Sequence, residues 1–181
     1  VIEDSAATRW SVLLVKLPSN PSRHRVAVWR ELRKVGALSL GQGIWAAPDV
    51  PVFAAGITQA VDLTVAAGGE VISLHASGAT TGDAARFEAL FTAAREDDWS
   101  EFLSDSRKYD AELDKEIRTA KFTLAELDEE EQSLDRLRRW HRAIKARDVF
   151  GAPSAAEAER RLQHCTERFA DYTEHVFAAL H

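Results

Sequence analysis

Three cations, Arg23, Arg30 and Lys34, fall on one side of a helix when residues 22–35 are wound at 100° per residue. Eleven residues separate the first from the last, a rise of about 16 Å that reaches across several phosphates of a duplex. Arg33 flanks this line. The opposite side gathers Val28, Trp29, Leu32 and Val35 into an apolar arc fit to pack on a sheet. Arg25 lies towards that arc, where its stem can run past Trp29 or meet a carboxylate. The chemistry open to such a ridge is contact with a phosphate backbone. Basic stripes are also ordinary on solvated helices and carry no base-reading information, so the spacing alone leaves both readings open.

A second basic block holds Arg136, Arg138, Arg139, Arg142, Lys145 and Arg147 against Asp135. Arg138, Arg142 and Lys145 share a face and have Leu134, Arg138 and His141 four residues before them, so no i,i+4 carboxylate supports them. An acidic segment carrying Asp105, Asp110, Glu112, Asp114 and Glu116 is the expected partner across a bundle, in preference to nucleic acid.

Catalytic and metal signals are thin. His164 precedes Cys165 but points about 100° away from it on a helix, and Cys165 lies on an apolar stripe, which predicts a core thiol rather than a nucleophile. Glu167, Asp171 and His175 recur at four-residue spacing, a pattern that exposed acidic helices produce by chance, so no metal and no cofactor is assigned. Gly41-Gln42-Gly43 lacks the strand-to-helix context of a phosphate cradle. The tryptophans at 10, 29, 45, 99 and 140 are read as core, with Trp29 and Trp45 meeting between helix and sheet.

The elements that must position these groups follow from the patterning. Residues 10–17 form an apolar run ended by Pro18, read as a central strand buried on both faces. A helix opens at Pro21 or Ser22, runs to Val35 and stops at Gly36. Alternation about Gly41 and Gly43 predicts a bulge or tight hairpin closed by Pro48 and Pro51. A helix over about 52–67 and a strand over 70–76 complete a β-α-β-(β)-α-β order, the ferredoxin-like α+β arrangement, over residues 1–80. Residues 81–181 then read as an all-α three-helix bundle. Residues 97–100 (DDWS) are a candidate break in its first helix, and Thr123 with Glu126 and Ser154 with Glu157 have the spacing that starts the next two. Leu127, Leu134, Leu137, His141 and Ile144 mark the buried stripe of one, and Leu162, Cys165, Phe169, Val176 and Leu180 that of the other.

The chain has 181 residues and a formal net charge of −6, unevenly divided. Residues 1–48 carry seven basic and three acidic groups, net +4, whereas residues 49–132 carry seven basic and nineteen acidic groups, net −12. A single cysteine permits no intrachain disulfide. No stretch approaches the roughly 18 apolar residues of a membrane span, and the first ten residues lack a signal-peptide pattern, which predicts a cytoplasmic protein with no membrane partner. Arginine outnumbers lysine 17 to 6 and methionine is absent, the usage of a GC-rich bacterial genome.

The run WSVLLVKLP at 10–18, then Arg25, Trp29-Arg30, Leu32-Arg33, Gly36-Ala37, Leu40, Gly43-Ile44-Trp45 and Pro48, resembles the N-terminal region of the ChrB chromate-resistance regulators. Downstream, KFT at 121–123, Glu126-Leu127, Glu130, Leu137, Trp140, Arg147-Asp148 and FGA at 150–152 are similar to the helical segment that follows in that family. The first block by itself is also similar to the ferredoxin-like domain of PaaX-type repressors and of small CRISPR-associated proteins. The ChrB resemblance implies a non-enzymatic, DNA-binding transcription regulator of a chromate-efflux operon, relieved by chromate. Arg23, Arg30, Arg33 and Lys34 are then the DNA-binding residues, operator DNA the partner, and a homodimer the form that matches operator symmetry. An oxyanion effector would want converging arginines, for which Arg25 and Arg30 are the candidates. Two rival classes remain: a protein-interaction module, and a metal-dependent nuclease, which would need a carboxylate at the end of the first strand where this chain reads VKLP at 15–18.

Overall fold

Leucine and valine between Trp10 and Pro18 favour extended chain, and a computed structural model, which describes residues 7–180, places strand β1 at Trp10–Lys16. Helix α1 spans Ser22–Val35 and ends at Gly36, whose φ of 88° is the left-handed conformation that lets its N–H reach the Arg33 and Leu32 carbonyls. Strands β2 (Leu38–Gly41) and β3 (Ile44–Pro48) form a hairpin, followed by α2 (Pro51–Ala66) and β4 (Glu70–Ala76). The sheet order is β2-β3-β1-β4, antiparallel throughout, with Trp10 opposite Pro48 on one side and Ala76 on the other. This is the expected ferredoxin-like topology.

The hairpin turns through Gln42 and Gly43, with φ of 49° and 79°, and a register shift lies between Ser39 and Gly41. Gly43 is held where its carbonyl accepts from the Val15 N–H at 2.8 Å, and a Cβ there would stand 2.2 Å from the Val15 oxygen. Only glycine fits.

β1 is interior to the sheet, as expected, but it is not buried on both faces. Trp10 and Leu13 are buried, whereas Leu14 is 38% exposed, and Ile72 and Leu74 on the edge strand β4 are 59% and 47% exposed. Two helices supply one covering layer, so a continuous apolar run here does not mean two-sided burial.

The helical remainder comprises α3 (Thr81–Arg118), α4 (Leu124–Arg147) and α5 (Ala155–Leu180). The expected break at residues 97–100 does not occur. Trp99 is 1% exposed and donates its indole N–H to Asp148 at 2.9 Å, while Asp98 meets Arg95 at 3.0 Å and Arg147 at 3.4 Å. Tertiary partners for these side chains replace the turn that their composition suggests.

The sequence divides the chain at residues 80 and 81; its two compact units are Val1–Ala94 and Arg95–His181, so the division falls inside α3. The reason is aromatic. Phe87 and Phe91 of α3 pack edge-on against Trp10 at 4.4 and 5.7 Å, and Phe91 against Phe53 at 5.8 Å, which joins the start of α3 to the first unit's core. The second unit closes around Trp99, Phe102, Leu113, Leu134, Ile144, Cys165, Tyr172 and Val176. Tyr172 belongs to this core and Leu180, expected there, is 49% exposed. Thr123 caps α4 by accepting from the Glu126 N–H at 3.3 Å. Ser154 precedes α5 as expected, but its hydroxyl donates to Glu96 of α3 instead of capping.

Candidate nucleic-acid interface

Helix α1 carries the predicted cationic residues, and its rotation is set by what it buries. Val28 and Leu32 are buried, with His24, Glu31 and Val35 half-buried beside them, so the inward stripe runs 24, 28, 31, 32, 35. Trp29 sits one position past Val28, about 100° round the helix, and is 51% exposed. The expected meeting of Trp29 with Trp45 therefore does not occur: Trp45 is buried while Trp29 faces solvent. Trp10 and Trp99 are buried, and Trp140 is half-buried with its ring edge-on to Phe102 at 5.7 Å.

Arg23, Arg25, Arg30, Arg33 and Lys34 are all exposed. Arg25, expected to lean towards the buried arc, lies outside it, because that arc is narrower than the full set of apolar residues suggests. Among the described residues no carboxylate pairs with Arg23, Arg25, Arg30 or Arg33. Arg33 instead places its guanidinium over the Trp29 ring, 5.5 Å from the centroid, a cation–π contact that leaves its charge open to solvent. Lys34 differs, with its ammonium 3.7 Å from Glu31. Arg33 and Lys34 also occupy the last turn, where cations complement the helix dipole, so two of the five charges have a structural reason to be there. Arg23, Arg25 and Arg30 are outside that turn and form no ion pair among the described residues.

Between the cations lies an apolar element that includes Trp29, expected in the core. Ser22, Arg25, Val26 and Trp29 line a shallow hollow of about 330 Å³, with Val26 42% exposed. The signal that would have found it is the one-residue offset of Trp29 from the 28–32–35 spacing. Arg25 and Arg30, paired in expectation as an oxyanion site, stand five residues and about 140° apart on the helix, so α1 alone does not bring them to one point.

Three of the six cations in the second basic block are paired inside their own unit, by partners other than those expected, while Arg136, Arg139 and Arg142 form no ion pair among the described residues. Arg138 meets Asp135 of its own helix at 3.1 Å, Lys145 meets Glu159 of α5 at 2.9 Å, and Arg147 meets Asp98 of α3. The acidic face of α3 is served by other cations. Asp110 takes Arg161 at 2.9 Å, His164 at 3.3 Å and Arg168 at 3.6 Å; Asp105 takes Lys108, and Asp114 takes Arg168.

Cys165 is a buried core thiol, its pKa pushed up to about 11 mainly by burial, with its sulfur 3.6 Å from the Ser106 carbonyl. Of the Glu167, Asp171 and His175 set, Glu167 accepts from Gln163 and His175 stacks on Phe122 at 5.5 Å; no group of three such side chains among the described residues is arranged to hold a metal ion. At the end of β1, Lys16 stands opposite Glu70 and pairs with it at 3.8 Å. No helix among the described residues is long and apolar enough to cross a membrane.

A ferredoxin-like unit with exposed arginines on α1, followed along the chain by a three-helix unit, defines a two-part α+β class of protein. Within that class, the chain belongs to the ChrB family: residues 25–181 match the family model described as "Protein ChrB, N-terminal". It is also 30% identical over 164 residues to Protein ChrB of Cupriavidus metallidurans, across 90% of this chain and 46% of that protein. The chain thus spans about half the length of the curated relative it matches.

Proposed function

We propose that this chain is the DNA-binding part of a regulator of chromate resistance, gripping the phosphate backbone through the exposed face of α1. The observation that carries the reading is the state of Arg23, Arg25, Arg30 and Arg33: exposed, and without a carboxylate partner among the described residues, in a protein whose net charge is −6. Desolvation and pairing cost little for such groups, and release of counterions from DNA favours their binding. Phosphate contacts fix position, while sequence must be read by other groups or by DNA shape. A homodimer would supply a second α1 and match a two-fold operator. Neither metal nor cofactor enters this reading, which is not that of an enzyme.

Footprinting on DNA upstream of the chain's own gene tests it. Protection of a defined segment is expected, weakened by chromate. Absence of any protection or shift at low salt defeats the reading. The Val26–Trp29 hollow favours a second reading, a protein-interaction module; a partner retained after nuclease treatment, and lost in Trp29→Ala, would support that reading instead.

A further inference from the structure

The second unit contains a pocket of about 550 Å³ between α3 and α4, lined on one side by Asp105, Tyr109, Glu112 and Glu116 and on the other by Glu126, Glu129 and Glu130. Lys108, Lys121 and Arg136 also reach its wall, along with Ser133 and Leu137. Six carboxylates face three cations, and most of those cations are already engaged. Lys108 is held by Asp105 at 2.7 Å, and Lys121 by Glu116 at 3.2 Å and Glu126 at 3.5 Å.

What distinguishes this pocket from an acidic surface is its buried, unpartnered polar atoms. Glu116 is 1% exposed; one carboxylate oxygen meets Lys115 and Lys121, and the other, Oε2, has no partner. The Tyr109 hydroxyl is likewise buried and unpartnered, on a residue 7% exposed. Glu130 is 6% exposed and makes no hydrogen bond or ion pair among the described residues. Burial and the neighbouring Glu112, Glu116, Glu129 and Glu126 push its carboxyl up to about 7. Buried carboxylates of like charge are costly unless a cation joins them.

The geometry points to a linear aliphatic polyamine as the ligand, one ammonium group held by Glu116 and Tyr109 and the next by Glu130 and Glu129. Glu116 and Tyr109 stand on the α3 wall of the pocket and Glu129 and Glu130 on the α4 wall, so a flexible chain with an ammonium group at each end bridges the two sets. N–H donors satisfy both the carboxylates and the tyrosine oxygen, and the methylenes lie along the Tyr109 ring and Leu137. A single metal ion fits less well, since no three of these side chains converge as ligands. The site does not depend on whether α1 binds DNA.

Isothermal titration of the full chain with spermidine, putrescine and Mg²⁺ in about 0.15 M salt, where surface attraction is screened, tests the proposal. Saturable one-to-one spermidine binding is expected, at least tenfold weaker in Glu130→Gln and in Tyr109→Phe. Asp128→Asn and Glu131→Gln, exposed acids outside the pocket, should leave it within twofold. Glu116→Gln should also weaken binding; should that variant unfold by circular dichroism, the other two decide. Absence of saturable binding, equal or tighter binding of Mg²⁺, or equal loss in the exposed-acid variants each overturns the proposal.

Discussion

Replacing Arg23 and Arg30 together by glutamine removes two charges that the fold does not use. Each phosphate neutralised on duplex DNA contributes about 0.9 to the slope of log affinity against log salt, so two lost contacts flatten that slope by about 1.8. Between about 50 and 200 mM salt the parent protein should then lose about 12-fold more affinity than the variant. A homodimer doubles the change in slope, and the ratio rises to about 150-fold. Both side chains are exposed and lack a carboxylate partner among the described residues, so unfolding stability should move by no more than about 0.5 kcal/mol. Lys34→Gln should do less, because Glu31 at 3.7 Å already shares that charge. Fluorescence anisotropy on a labelled duplex, titrated at several salt concentrations, measures the slope. An unchanged slope in the double variant refutes the reasoning. So does an equal flattening in Lys145→Gln, whose charge is met by Glu159 within the bundle.

Three further outcomes follow from the structure. Because the Glu130 carboxyl titrates at about 7 in the fold and near 4.5 when free, the native state keeps a proton that the unfolded chain has lost between those values. Stability should fall as pH rises through that window, by on the order of 3 kcal/mol at most, and Glu130→Gln should flatten the trend in urea melts at pH 5 and 8. Gly43→Ala forces a Cβ to 2.2 Å from the Val15 oxygen at a φ of 79°, and thermal unfolding should register a loss of about 2 kcal/mol or more. Cys165, buried with a thiol pKa of about 11, should react with a disulfide reagent at pH 8 only on unfolding, and fast labelling of the native protein would contradict its core placement.

The local signals in this chain were strong where chemistry and backbone geometry coincide. Pro18, Gly36 and the Gly41–Gly43 hairpin punctuate the first unit, and with hydrophobic spacing they determine the β-α-β-β-α-β order. Thr123 and Glu126 likewise announce the start of α4. The cationic identity of α1 is a property of composition, so it too is legible before any fold is known.

Tertiary structure decided how those elements turn and what they touch. The sequence shows that Val28, Trp29, Leu32 and Val35 are apolar, but packing selects a stripe centred between His24 and Val35, which turns Trp29 and Arg25 outwards. Residues 97–100 look like a break until Trp99 finds Asp148, and α3 continues through them. The second unit carries both acidic and basic blocks, yet Asp110 pairs with α5 and Arg138 with its own helix. Which buried polar atoms stay without a hydrogen-bond partner, Glu116 Oε2 and the Tyr109 hydroxyl, was hidden for the same reason. Propensity and capping act within a few residues along the chain, whereas burial and charge pairing depend on distances across it, which only the folded arrangement fixes.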